Sequence, residues 1–248
     1  MKRSILSALS AAVLVAVAIP LMAITGDEIL TRMDGNRAYK TVSCNAVMRI
    51  YQGKEVRTKK LTMRGIGDKK AITKFTNPED EGTKYLKLGK DMWIYFPEEQ
   101  ETVKISGHML KEGMMGSDVS YEDALESDTL KEKYDIVITS EKEMYEGHAC
   151  YLLTLTAKVK DAPYEVRKMW VDKETFVGWK QELYAKSGKL LKESRVLKTD
   201  VVGGRIYPVK SEMVNKLRKD TKTEFEQTDL VFDTPMNEAE FSLRYLQR

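Results

Sequence analysis

Two cysteines, two histidines and six prolines in 248 residues leave little material for several kinds of protein. Neither His108 nor His148 stands beside a serine, cysteine and carboxylate in a pattern that names a nucleophile and its base, and no G-x-S-x-G occurs. An enzyme is not expected. His148 and Cys150, two apart on a predicted strand, would form half of a metal site only if His108 and Cys44 came close, and no second ligand pair supports them, so neither metal nor cofactor is expected. Gly65-Ile66-Gly67-Asp68 lacks the third glycine and the following helix of a nucleotide loop and reads as a hairpin turn. Charge of one sign is missing as well: 41 Lys and Arg face 38 Asp and Glu, interspersed, for a net +3. That is a solvated surface without the one-sided basic footprint of a nucleic-acid partner. With proline scarce and no Ser/Gly-rich tract, nothing divides residues 24–248 into separate domains.

Long hydrophobic runs are absent except at the start. Lys2 and Arg3 precede an apolar stretch from Ile5 to Leu21, and Ala23 offers a small residue for cleavage. This is the pattern of a secretory signal peptide covering residues 1–23. The run approaches the roughly 18 to 20 residues of a membrane span, but Pro20 and the lack of a stop-transfer charge cluster favour cleavage and a periplasmic product. In an oxidising compartment Cys44 and Cys150 have two options, one disulfide or two buried thiols, and sequence does not choose between them.

What the chain has in abundance is alternation. Cys44, Ala46, Met48 and Ile50 interleave with Asn45, Arg49 and Tyr51 in the period-2 pattern of a half-buried strand. Similar segments recur at 56–64, 70–75, 84–88, 91–96 and 101–105, then at 134–140, 148–157, 164–172, 177–185, 190–199, 205–216 and 221–231. Turn residues such as Gly89-Lys90 and Gly203-Gly204 separate them. Short connections imply antiparallel neighbours. About a dozen strands exceed what an open twisted sheet carries without curling. The expected fold class is mainly β (α+β): a strongly curved antiparallel sheet forming an open half-barrel, covered by short helices.

The concave face of such a sheet needs filling. Thr25 and Glu28 form a capping box that starts a short helix with Ile29, Leu30 and Met33 on one face. The segment 109–123, MLKEGMMGSDVSYED, breaks the strand pattern with soft apolar side chains between glycines. Ser120 and Asp123 are placed to cap a short helix within it. Met109, Leu110, Met114, Met115, Gly116 and Tyr121 are the expected lid; a mobile lid and a fixed plug are both compatible with the pattern. A C-terminal helix over 238–246, capped by Asn237, is the third piece. Met48, Ile50, Leu61, Met63, Leu86, Leu88, Ile94 and Phe96 are the expected lining of an apolar cavity. Such a lining offers almost no hydrogen bonds, so its ligand is a hydrocarbon.

Three stretches carry a resemblance. Gly116-Ser117-Asp118-Val119-Ser120-Tyr121-Glu122-Asp123 resembles the G-S-D-x-[ST]-Y-E-D segment of the outer-membrane lipoprotein-sorting family, a LolA-like branch. Trp93-Ile94-Tyr95-Phe96-Pro97 and Trp170-Val171-Asp172 resemble that branch's W-x-Y-x-P and W-V-D strands. The resemblance implies an open half-barrel wrapped round helices and a periplasmic carrier of lipid or acylated lipoprotein. An inner-membrane exporter or an outer-membrane receptor would be its partner. The alternative it leaves is an envelope sensor, or an accessory subunit of an exporter, that recognises lipid without transporting it.

Overall fold

A computed structural model describes residues 23–126 and 130–248. Apart from Ala23, the expected signal peptide lies outside the described residues. Helix α1 (Gly26–Arg37) begins at the capping box: the Glu28 amide donates to Thr25 Oγ1 at 3.2 Å and the Thr25 amide to Glu28 Oε2 at 2.8 Å. It runs through Gly35 to Arg37, and Asn36 Nδ2 donates to the Thr175 carbonyl at 2.6 Å, which ties the last turn to the sheet.

Among the described residues thirteen strands follow: β1 (Thr41–Gln52), β2 (Glu55–Ile66), β3 (Lys70–Phe75), β4 (Lys84–Leu88), β5 (Asp91–Phe96), β6 (Glu101–Ile105), β7 (Tyr134–Tyr145), β8 (His148–Ala157), β9 (Val166–Asp172), β10 (Gly178–Tyr184), β11 (Leu190–Val202), β12 (Arg205–Asn215) and β13 (Thr221–Phe232). They form one curved, open, antiparallel sheet in the order β6-β5-β4-β3-β2-β1-β13-β12-β11-β10-β9-β8-β7. Two meanders are thus joined back to back where β13 pairs with β1, and the edges are β6 and β7. Register shifts within the β1/β13, β7/β8, β10/β11 and β11/β12 pairs supply local bends.

This topology places the segment after β6. It leaves one edge of the sheet and must reach the other, so it crosses the concave face. Its described elements are 3₁₀ turns at Gly107–Lys111 and Met114–Gly116, α2 (Tyr121–Leu125) and α3 (Leu130–Lys133). Helix α1 lies on the same face over the second meander, where Ile29, Leu30 and Met33 pack with Tyr134, Leu153, Leu155, Met169 and Val171.

The C-terminal segment departs from expectation twice. It is a 3₁₀ turn (Glu238–Glu240) followed by α4 (Leu243–Leu246), with Asn237 and Ser242 each capping one piece. It covers the outer face of β3–β5, where Phe241 and Leu246 pack on Ile72, Leu86 and Tyr95, so it does not fill the concave face.

The cysteines are separate buried thiols. Strand alternation and register put Cys44 on the concave face opposite Met63, and Cys150 on the outer face opposite Asp172. β1 and β8 are six positions apart in the sheet, so the disulfide left open by the sequence does not form.

Candidate functional site

The concave face of the first meander is assembled by register. Ala46 stands opposite Leu61, Leu61 opposite Phe75, Tyr85 opposite Ile94, and Met92 opposite Ile105. With Met48 and Ile50 these form one buried cluster, and Met63 packs against it. Five of the eight expected lining residues, Met48, Ile50, Leu61, Met63 and Ile94, therefore meet. Leu86 and Leu88 do not. They point to the outer face, Leu86 within the cluster under Phe241 and Leu246 and Leu88 packed against it. Phe96, 37% exposed at the end of β5, is outside the cluster.

The Met-rich crossover fills this half of the interior. Met109, Leu110, Met114, Met115, Tyr121, Ala124 and Leu125 all pack on the cluster. Its path is tight: a Cβ on Gly113 would lie 2.0 Å from the Ser117 carbonyl oxygen, so only glycine fits. Gly116 adopts φ +76° and Met115 φ +54°, the latter costly for a side-chain-bearing residue. Tyr85 helps to hold Met115, its hydroxyl donating to Sδ at 3.2 Å while lying 3.2 Å from the Tyr121 hydroxyl. Burial, and then Tyr121, push the Tyr85 phenol far above its ordinary pKa, so it remains a neutral donor.

Polar anchors fix the second part of the crossover. The Asp118 amide donates to Thr223 Oγ1 at 2.9 Å, and its carboxylate accepts from Thr223 Oγ1 at 2.9 Å and Thr221 Oγ1 at 2.8 Å. Asp118 is only 2% exposed, so these contacts compensate a fully desolvated charge. Asp123 closes the capping box with Ser120, accepts from the Tyr164 hydroxyl at 2.6 Å and pairs with Lys192. Burial raises its pKa, but Lys192, Tyr164 and Ser120 outweigh that and hold it below the ordinary carboxylate value. Lys87 Nζ donates to the Ala124 carbonyl at 3.3 Å, and Arg167 pairs with Glu126. Gly116 and Tyr121, expected in the lid, thus flank or adjoin the polar anchors of Asp118 and Asp123.

Sequence reasoning found Ser120 and Asp123 through their local spacing. It missed Asp118, Tyr164, Arg167 and Lys192 as anchors, because partners some 40 to 105 positions away leave no periodic trace.

Between α1 and the end of the crossover runs a partly open groove of about 550 Å³. Met33, Asp34 and Arg37 of α1 form one wall, Glu126 and Leu130 the other. Met169 and Arg167 of β9, Gln181 of β10 and Tyr207 of β12 form the floor, and Lys87 and Asp68 close the far side. The volume falls within the roughly 300 to 1,000 Å³ of small-molecule sites. Burial pushes the Asp34 carboxyl above its ordinary pKa. Neither histidine lines the groove. His148 instead stacks on Trp179 with ring centroids 4.2 Å apart, its Nδ1 3.1 Å from Asp172.

A curved antiparallel sheet holding an N-terminal helix and an edge-to-edge crossover against its concave face is the LolA-like fold. Solved structures agree. A DUF1329 family protein from Desulfovibrio piger is 27% identical over 89% of this chain and 97% of its own, with a TM-score of 0.82. A domain described as an outer-membrane lipoprotein-sorting protein from Vibrio parahaemolyticus is 23% identical over 90% and 98%, with a TM-score of 0.79. A LolA superfamily protein from Nitrosomonas europaea is 22% identical over 90% and 100%, with a TM-score of 0.74. A family model described as an uncharacterized protein matches residues 67–248, and the chain belongs to that family. No curated protein matches the sequence. Among the described residues no helix is long and apolar enough to cross a membrane.

Proposed function

We propose that this protein is a noncovalent periplasmic carrier of acyl chains, taking lipid or acylated lipoprotein toward the outer membrane and performing no bond chemistry. The observation that carries the reading is the divided interior: one half is sealed by a methionine-rich crossover, and beside it runs a groove in which Met33, Leu130, Met169 and Tyr207 offer apolar surface among Asp34, Arg37, Glu126 and Arg167. Each methylene moved from water into such surroundings contributes roughly 0.8 kcal/mol, so about fifteen carbons gain on the order of 10 kcal/mol before ordering costs. Release into water is then slow, and delivery calls for a partner such as an inner-membrane exporter at loading and an outer-membrane receptor at unloading. Methionine side chains repack at low cost, which suits a crossover that yields to a longer or second chain.

The test is gentle purification from the native envelope followed by extraction and mass spectrometry. A carrier holds lipid or acylated protein in near-stoichiometric amount. A lipid-free protein that also fails to bind added amphiphile overturns the reading. Stable co-isolation with one membrane protein, with no net lipid transfer between vesicles, would identify a sensor or exporter subunit instead.

A further inference from the structure

Among the described residues, Arg167 on the groove is the one that carries a buried side-chain polar atom without a hydrogen-bond partner. It is 3% exposed, its Nη2 donates to Glu126, and its Nε has no hydrogen-bond partner. Nε and Nη2 form one edge of the guanidinium, the fork that takes both oxygens of a carboxylate or phosphate side by side. Glu126 engages only half of that fork, through a single oxygen. The guanidinium carbon lies 4.9 Å from the ring centre of Tyr134 and 5.2 Å from that of Tyr164, so the aromatic rings fix its plane and leave the donors along its edge. A buried donor left unmade is costly, and native proteins rarely tolerate one without a reason.

Two further features of the groove bear on a ligand. Lys87, from the opposite meander, reaches the same end of α2 and donates to the Ala124 carbonyl, bringing a second cation to the groove from the far side. Met33 and Met169 line the same groove and offer a tail an apolar path.

We propose that the groove binds single-chain anionic amphiphiles, the carboxylate or phosphate headgroup displacing Glu126 to take both Nε and Nη2 of Arg167, with Lys87 as second cation and the acyl chain running past Met33 and Met169. This rests on the carrier reading and specifies its ligand. Glu126 is then an internal competitor that occupies the site in the empty protein, and its departure frees the end of α2, so headgroup capture loosens the crossover.

The experiment is equilibrium binding of palmitate, lysophosphatidate and neutral hexadecanol to the delipidated full chain, to Glu126→Gln and to Arg167→Met, each variant checked by circular dichroism and urea unfolding. The unaltered chain should prefer the two anions to hexadecanol by about tenfold or more. Glu126→Gln, which removes the competitor and keeps the shape, should bind both anions several-fold tighter and hexadecanol unchanged. Folded Arg167→Met should lose the preference. Whichever anion binds tighter names the source of the headgroup. Equal binding of anions and hexadecanol in the unaltered chain and in Glu126→Gln overturns the headgroup site and leaves the carrier standing. Failure of every amphiphile to bind overturns both. Because Glu126→Gln is read as a gain, misfolding of Arg167→Met does not spare the proposal.

Discussion

The two fillings of the concave face are held by different forces. Helix α1 lies on the second meander through Ile29, Leu30 and Met33, an apolar contact whose strength follows buried area and hardly depends on direction. The crossover has an apolar part too, but Asp118, Asp123 and Glu126 fasten it to Thr223, Lys192 and Arg167. Such contacts are directional, strong only when complete, and open to competition from a ligand of like chemistry. A helix that must stay is packed. On the proposed carrier function, the segment that yields to cargo is the latched one.

The latch is where this contrast is most easily broken. Asp123→Ala leaves the largely buried Lys192 side chain without its carboxylate and should cost about 3–5 kcal/mol in urea unfolding, the range for one partner removed from a buried pair. Amide exchange in residues 107–126 should accelerate well before the β8 and β9 amides do. The same group sets an acid limit. Asp123 has a folded pKa below its unfolded value of about 3.9, so its contribution is fully present above that pH and is lost as pH falls through the folded pKa. Unfolding curves at pH 7 and pH 3 should differ less in Asp123→Asn than in the unaltered chain.

On the packed side, Leu30→Ala should destabilise by about 2–5 kcal/mol, and here exchange should rise across α1 and β7–β9 while the crossover keeps its protection. If Leu30→Ala released the crossover as fully as Asp123→Ala does, the two fillings would be one cooperative unit. The smallest effect belongs to the helix start: Thr25→Ala removes the capping box and should cost about 1 kcal/mol, read as a small fall in the urea midpoint with an unchanged m-value.

The strand ladder is legible where one face meets water. In β1, Cys44, Ala46, Met48 and Ile50 are buried and alternate with more exposed residues, so both strand and facing can be read from the chain. In β4 and β5 alternation fails as a guide, because Tyr85 and Leu86 are both buried, as are Ile94 and Tyr95, each under a different cover. The outer cover is the C-terminal segment, whose docking site has no local signature, and Leu86 and Leu88 could not be told from the concave residues without it. The crossover's place followed from its break in the pattern, and its short helix from Ser120 and Asp123. Its anchors, and the groove beside it, arise only where β9, β11 and β13 are brought under it.

Photolabelling with a diazirine-bearing palmitate, followed by peptide mapping, addresses acyl-chain carriage most directly. Labels should fall on α1 around Met33, on β9 around Met169 and on β12 around Tyr207, and unlabelled palmitate should compete them away. Saturable labelling confined to the outer face under Phe241 and Leu246, or no saturable labelling at all, would contradict an interior acyl-chain site.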